Sequence, residues 1–163
     1  MGEKQVNSDL PNSETPAEVV AVCVSGGGVP KTLVSAAEVS TNGLADDGHD
    51  HKKHNRPDRA VSIQDLELLK ELQADGYPVG PGIMGENLTV RGLHVQRLAP
   101  GDRICFADGP VLELSEPRKP CFVLDKIHPA LKDAVVGRCG FLASVVQTGR
   151  LFAGQRISVV AKG

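Results

Sequence analysis

The residue of this chain best placed to do chemistry is a cysteine that follows two cations and a proline. In the segment Ser115-Glu116-Pro117-Arg118-Lys119-Pro120-Cys121, the thiol of Cys121 stands at the expected start of a short helix. Neighbouring positive charge and a helix N-terminus both favour the thiolate, which is a nucleophile and a soft-metal ligand. The competing reading is a small buried hydrophobe, the usual fate of a lone cysteine. Cys23, Cys105 and Cys139 lack such surroundings and read as core or near-core residues. A protease-type nucleophile would also need a histidine base, and neither His94 nor His128 is marked out by its context.

Three other segments could contribute. Ser25-Gly26-Gly27-Gly28-Val29-Pro30-Lys31-Thr32 follows a β-branched run. Its glycines would let backbone amides approach an anion, with Lys31 as a point charge. Its spacing matches neither the P-loop nor the dinucleotide fingerprint, so a plain turn competes. Asp46-Asp47-Gly48-His49-Asp50-His51-Lys52-Lys53-His54 gathers three histidines that could surround a metal. Partner ligands at zinc-finger spacing are missing, and Lys53 stands where the metallo-hydrolase HxHxDH pattern has its aspartate, which leaves a solvated loop as the alternative. Gly82-Ile-Met-Gly85-Glu86-Asn87-Leu88-Thr89-Val90 places Glu86 and Asn87 at the mouth of a strand, where an amide could hold the polar edge of a heterocycle. A simple turn-to-strand junction would look the same.

The elements that must position these residues are short. Candidate strands run Glu18–Ser25, Leu33–Ser40, Arg59–Ile63, Asn87–Arg91, His94–Leu98, Asp102–Phe106, Val111–Ser115, Phe141–Thr148 and Arg156–Ala161, separated by Gly, Pro, Asn and Asp. Such spacing implies a closed or nearly closed β-architecture. One helix is well signalled, with Ser62 as N-cap, Ile63, Leu66, Leu69 and Leu72 at three-residue intervals, and Gly76 as the stop. A shorter one spans about Cys121 to Ile127, ended by Pro129. The segment Leu98-Ala-Pro-Gly101-Asp-Arg103-Ile104 is echoed by Leu151-Phe-Ala-Gly154-Gln-Arg156-Ile157. Each reads as a tight turn that delivers a strand with Arg and Ile on opposite faces.

Composition narrows the function. With 163 residues, one domain is expected, residues 18–163, behind a polar flexible tail of residues 1–17. Eighteen basic and 20 acidic residues give a net charge of −2, without the basic footprint of a general nucleic-acid or anionic-membrane binder. Aromatics at 3% and the lack of Trp make a base-stacking platform implausible. No apolar run is long enough for a membrane span, and the N-terminus lacks a signal-peptide core. Four widely spaced cysteines without a CxxC pair fit a reducing compartment, so the expected location is cytoplasmic.

Taken together and in this order, the segments resemble the MOSC domain, named for the C-terminal domain of molybdenum cofactor sulfurase. The resemblance is carried by Gly82-x-x-Gly85-Glu86-Asn87-Leu88-Thr89, Leu98-x-x-Gly101-Asp102, Pro117-Arg118-x-Pro120-Cys121, Gly137-x-x-Gly140 and Gly149-x-x-x-x-Gly154, with Pro30-Lys31, Gly43-Leu44 and Asp58-Arg59-Ala60-Val61 upstream. It covers about Glu18 to Ala161, as a small stand-alone member. It implies a mainly β fold, a closed barrel of the pyruvate-kinase barrel type with a few short helices. It also implies a molybdenum–pterin cofactor (molybdopterin), with Cys121 as the molybdenum ligand, and reduction of N-hydroxylated small molecules with electrons from an external donor protein. On that reading Gly27, Gly28, Lys31 and Arg59 hold the pterin's phosphate. Glu86, Asn87, Thr89 and Arg118 hold the pterin or the metal's oxo groups, and Arg118 and Lys119 keep the Cys121 thiolate charged. Two alternatives stand beside it: a sulfur carrier that forms a persulfide on Cys121, and a non-enzymatic metal binder built on His49, His51 and His54.

Overall fold

A computed structural model describes residues 16–48 and 57–162. Almost all of the expected tail, and the whole His49/His51/His54 cluster, lie outside the described residues. The described residues form eleven strands: β1 (Glu18–Val24), β2 (Thr32–Val34), β3 (Ala36–Ser40), β4 (Gly43–Leu44), β5 (Val61–Asp65), β6 (Leu88–Arg91), β7 (Arg103–Phe106), β8 (Val111–Pro117), β9 (Phe141–Gln147), β10 (Gly149–Phe152) and β11 (Ile157–Val160). Helix α1 (Leu66–Ala74) separates β5 from β6, and α2 (Leu131–Ala134) precedes β9. Short 3₁₀ turns occupy Pro57–Arg59, Val95–Arg97 and Phe122–Lys126.

Eight strands make one sheet in the order β11-β7-β8-β9-β5-β6-β1-β2, and β10-β3-β4 make a second. All pairings are antiparallel except β5 with β6. That pair is joined through α1, as a parallel pair requires a crossover. The alternating buried residues of the strands (Val19, Ile63, Leu88, Val90, Ile104, Leu112, Leu114, Ala143) share one core with Leu151 of the second sheet. Leu69 and Leu72 of α1 pack with Met84, Leu124, Leu131 and Val135 in a separate layer.

The expected closed barrel is not formed: neither sheet closes, and both are open. The large sheet curls until the β10–β11 turn reaches the start of β1, where Val19 N–H donates to Gln155 O (2.9 Å) and Ile157 N–H to Ala17 O (2.9 Å). Only a single bridge, Glu18 to Arg156, results. The cause is local: β1 gives its C-terminal half to β2 and bulges between Val19 and Ala21, so no straight edge remains for a full ladder.

The helix signal was right in period and wrong at its start. Ser62 and Ile63 belong to β5, and the helix begins at Leu66 after Asp65. Asp65 does not cap it, because its carboxylate accepts instead from the amides of Val95 (2.7 Å) and Gln96 (3.1 Å). The same two bonds, with His94 in the left-handed region, turn the expected strand His94–Leu98 into a 3₁₀ turn. The helix ends as expected: Gly76 has φ +100°, its amide donates to Gln73 O and that of Tyr77 to Leu72 O.

The internal echo is a structural repeat. Ala99 N–H donates to the Asp102 carboxylate (2.9 Å) and Phe152 N–H to Gln155 Oε1 (3.3 Å), each across a left-handed glycine, Gly101 or Gly154. The strands they deliver, β7 and β11, then pair with each other. Among the described residues, no helix is long and apolar enough to cross a membrane.

Gly140 is the tightest joint in this frame. It has φ +86°, and a Cβ there would lie 2.1 Å from the Ile63 carbonyl oxygen. Gly140→Ala is therefore expected to lose roughly 2–4 kcal/mol of unfolding free energy in urea melts, the sum of left-handed strain and a backbone clash. A loss below 1 kcal/mol would contradict this packing.

Candidate functional site

Asn87 stands just before β6, two residues after the left-handed Gly85, and is buried at 3% exposure. Its side chain satisfies three separate segments. Nδ2 donates to Cys23 O of β1 (3.1 Å) and to Asp47 Oδ2 (3.0 Å), while Oδ1 accepts from the amide of Ser62 in β5 (3.1 Å). Asp47 completes the junction: its Oδ1 accepts from Ser25 N–H (3.0 Å) and from Lys31 Nζ (2.6 Å). Its side chain has no exposure, and that of Lys31 only 11%. A buried carboxylate is tolerable here because an ammonium and two neutral donors surround it.

The glycine loop is folded onto this junction. The Ser25 hydroxyl accepts from Gly27 N–H (3.2 Å) and donates to Gly28 O (3.0 Å). Gly48 packs so close that a Cβ would sit 2.3 Å from Gly26 O. The loop's opening therefore faces a cleft of about 630 Å³. One wall carries Gly28, Val29, Lys31, Gly48 and Asn87, and the other Pro117 to Val123 with Lys126. Arg59, Ser62, Gly85, Glu116 and Leu142 complete the lining. Five cationic side chains (Lys31, Arg59, Arg118, Lys119, Lys126) face one carboxylate, Glu116, among the described lining residues. Glu116 pairs with Arg59 at 3.0 Å. The excess favours an anion.

Cys121 lines this cleft, half-buried, in extended backbone at the head of the turn Phe122–Lys126. The expected helix is thus a 3₁₀ turn of five residues, with Leu124 N–H donating to Cys121 O. Phe122 projects at the rim with 68% exposure. Arg118 crosses Gly85, whose Cβ would meet Arg118 Nη2 at 3.2 Å and Val29 Cγ1 at 2.8 Å. Arg118 Nη2 donates to Met84 O (2.6 Å), while Nη1 is buried without a partner among the described residues, as is Arg59 Nε.

The expected site residues fall into two groups. Gly28, Lys31, Arg59, Asn87, Arg118 and Cys121 line the cleft together. Gly27, Glu86 and Thr89 do not. The Gly27 amide is spent on Ser25. Thr89 is fully buried and donates to Glu86 Oε2 (3.5 Å), and Glu86 itself is only 1% exposed. Desolvation raises the Glu86 carboxyl above its ordinary range, against the opposing pull of its own backbone amide, Arg118 and the Gly82 amide. Burial also pushes the Cys23 thiol up to about 11, with Glu86 adding to the rise, and raises that of Cys139. Lys31 and Asn87, expected to meet a ligand, spend their polar groups on Asp47 and its surroundings. Asp47 was not singled out from the sequence, since it sits in a charged run whose partners lie 16 to 40 residues away. Among the described residues, no three His, Cys, Asp or Glu side chains gather into a metal-holding group. A metal here would rest on the one thiol with exogenous ligands.

Comparison with known proteins agrees with the expected resemblance. A family model described as the MOSC domain matches residues 50–158. A protein named "Reductase" from Gibberella moniliformis is 31% identical over 131 residues, which is 76% of this chain and 23% of that protein. The uncharacterized protein YflK of Bacillus subtilis is 32% identical over 117 residues, 68% of this chain and 52% of its own length. This chain thus spans about a quarter and about half of these two relatives. Among solved structures, YuaD from Bacillus subtilis superimposes with a TM-score of 0.79 at 20% identity, covering 91% of this chain and 98% of that one. YiiM from Geobacillus stearothermophilus gives 0.73 at 26% identity, covering 91% and 77%.

Two outcomes test this geometry. Asn87→Ala should lower unfolding free energy by about 2–4 kcal/mol, because it strands the Ser62 amide, the Cys23 carbonyl and a buried carboxylate oxygen. Urea melts read it directly. Alkylation at pH 8 followed by peptide mapping should modify Cys121 well before Cys23 and Cys139; equal labelling would contradict the placement of Cys121 in the cleft.

Proposed function

This chain belongs to the MOSC domain family, and we propose that its cleft binds a molybdenum–pterin cofactor, with Cys121 as the metal ligand, for the reduction of N-hydroxylated small molecules. The observation that carries this reading is a half-buried cysteine in the same cleft as five cationic side chains and one carboxylate. The donor set fits the group: a thiolate is the soft ligand molybdenum favours, and guanidinium and ammonium groups suit a pterin's phosphate. Bound there, the cofactor would supply two-electron reduction of an N–O bond.

The protein's own residues then have distinct roles. Cys121 holds the metal. Arg118 and Lys119 add positive charge to the wall that carries it, and Arg118 is fixed by its bond to Met84 O. Lys126 presents positive charge to the phosphate beside the Arg59–Glu116 pair, while Lys31 and Asn87 hold the floor in place through Asp47. Phe122, Val123, Pro120 and Leu142 offer an apolar surface for the organic part of a substrate. Reduction of R₂N–OH to R₂N–H and water consumes two electrons and two protons. The electrons come from a separate donor protein, and the relative named as a reductase supports that class of reaction.

The test is metal and pterin analysis of protein produced in a host that makes the cofactor. Near-stoichiometric molybdenum and pterin fluorescence are expected, with at least a tenfold loss in Cys121→Ser and no loss of fold. Molybdenum retained by Cys121→Ser would overturn the assignment. A persulfide on Cys121 without molybdenum would instead assign sulfur transfer.

A further inference from the structure

Both walls of the cleft are placed from one strand. Near its start, β5 fixes the floor: Ser62 N–H donates to Asn87 Oδ1 (3.1 Å), and Asn87 holds Asp47 beneath the glycine loop. At its end, Asp65 is buried at 2% exposure, and its carboxylate accepts the amides of Val95 (2.7 Å) and Gln96 (3.1 Å). The Gln96 side chain then spans 44 residues of sequence, its Oε1 accepting from Gly140 N–H (2.8 Å). Gly140 O in turn accepts from Arg118 N–H (2.9 Å).

That last bond is a rung one residue beyond the Pro117–Phe141 pair that ends the β8–β9 ladder. Lys119 and Pro120 then lead directly to Cys121, and Pro120 has no amide hydrogen with which to add another rung. Gly140 cannot turn freely to keep hold of Arg118. It is left-handed (φ +86°), with the Ile63 carbonyl oxygen 2.1 Å from where a Cβ would stand, so its amide and carbonyl directions are set together. From Arg118 the side chain runs to the other wall, where Nη2 donates to Met84 O (2.6 Å) and lies against Gly85. A displacement of the Gly140 amide is therefore passed to the residue that joins the two walls.

We propose that Gln96 is a positioning residue for the Cys121 wall: by accepting the Gly140 amide it carries the placement of β5, through Gly140 and Arg118, to the thiol's side of the cleft. Gln96 does not line the cleft itself. Its type suits the task, since a neutral acceptor on a long side chain satisfies a buried amide without desolvating a charge. Gln64 of β5 tethers the same segment two residues earlier, donating from Nε2 to Arg138 O (2.9 Å). Loss of the Gln96 bond thus shifts Gly140 without freeing the segment from the sheet. The inference rests on the reading of Cys121 as the reactive group of the cleft, and what it adds is how that thiol is presented.

The test uses the full chain made in a host that lacks the molybdenum cofactor. Gln96→Met keeps the side-chain length and loses the acceptor, Gln96→Glu keeps both, and Ile104→Val is a core control outside this path. In Gln96→Met, the Gly140 amide should exchange its hydrogen about tenfold faster for want of an acceptor, measured by NMR against the β3–β10 ladder. The Arg118 amide should exchange about fivefold faster, and iodoacetamide should alkylate Cys121 about threefold faster, because the displacement is transmitted. Gln96→Glu should return all three rates to within about twofold of the unaltered chain, and Ile104→Val should leave Arg118 and Cys121 unchanged. Gln96→Asn, whose acceptor falls one methylene short, gives the same reading should the apolar variant not fold. The proposal is overturned by an Arg118 or Cys121 rate unmoved in Gln96→Met, by an equal change in Ile104→Val, or by failure of Gln96→Glu to restore them. None of these readouts involves molybdenum. A chain that holds the metal on Cys121 but fails here loses only the role of Gln96, and one that passes here but holds no metal loses only the cofactor assignment.

Discussion

Everything at the cleft depends on one carboxylate being buried beside one amide. Asp47 has no exposed side chain, yet it receives Lys31, the Ser25 amide and Asn87. A charge in that position is stable only while every one of those partners stays in place. The arrangement ties the glycine loop to β1, β5 and the start of β6, elements far apart in sequence, and thereby sets the floor against which Cys121 faces. Residues that look like ligand-binding groups, Lys31 and Asn87, are spent on that task.

The opposite wall has the complementary character. Arg118, Lys119 and Lys126 concentrate positive charge around the half-buried thiol, and Glu116 offsets only the Arg59 contribution. Exposed Phe122 gives the mouth an apolar edge. A cleft with a soft ligand, excess cations and a small apolar rim suits a large anionic group better than a neutral metabolite.

Much of this was legible in the residues. The Pro-Arg-x-Pro-Cys segment marked Cys121 and Arg118, and both line the cleft. The Gly85-Glu86-Asn87 turn marked the second wall, because a left-handed glycine before a buried polar pair is a local signal. The helical period of Leu66, Leu69 and Leu72, the glycine stop and the repeated turn around Gly101 and Gly154 were read correctly for the same reason: short-range geometry decides them. Asp47 escaped notice since nothing near it in sequence distinguishes it from a solvated acid. The strand expected at His94–Leu98 failed because Asp65, thirty residues earlier, claims the amides of Val95 and Gln96.

By itself, then, the order of residue types determined the family, the mainly β composition and the cysteine with its cationic flank, all of which are written in local patterns. Only the tertiary structure decided that the sheets stay open, since closure depends on what β1 has left to offer after pairing with β2 and bulging at Val19. It also decided which polar residues face the cleft and which are consumed beneath it. Burial and long-range hydrogen bonding assign those roles, and neither is a property of a residue's immediate neighbours along the chain.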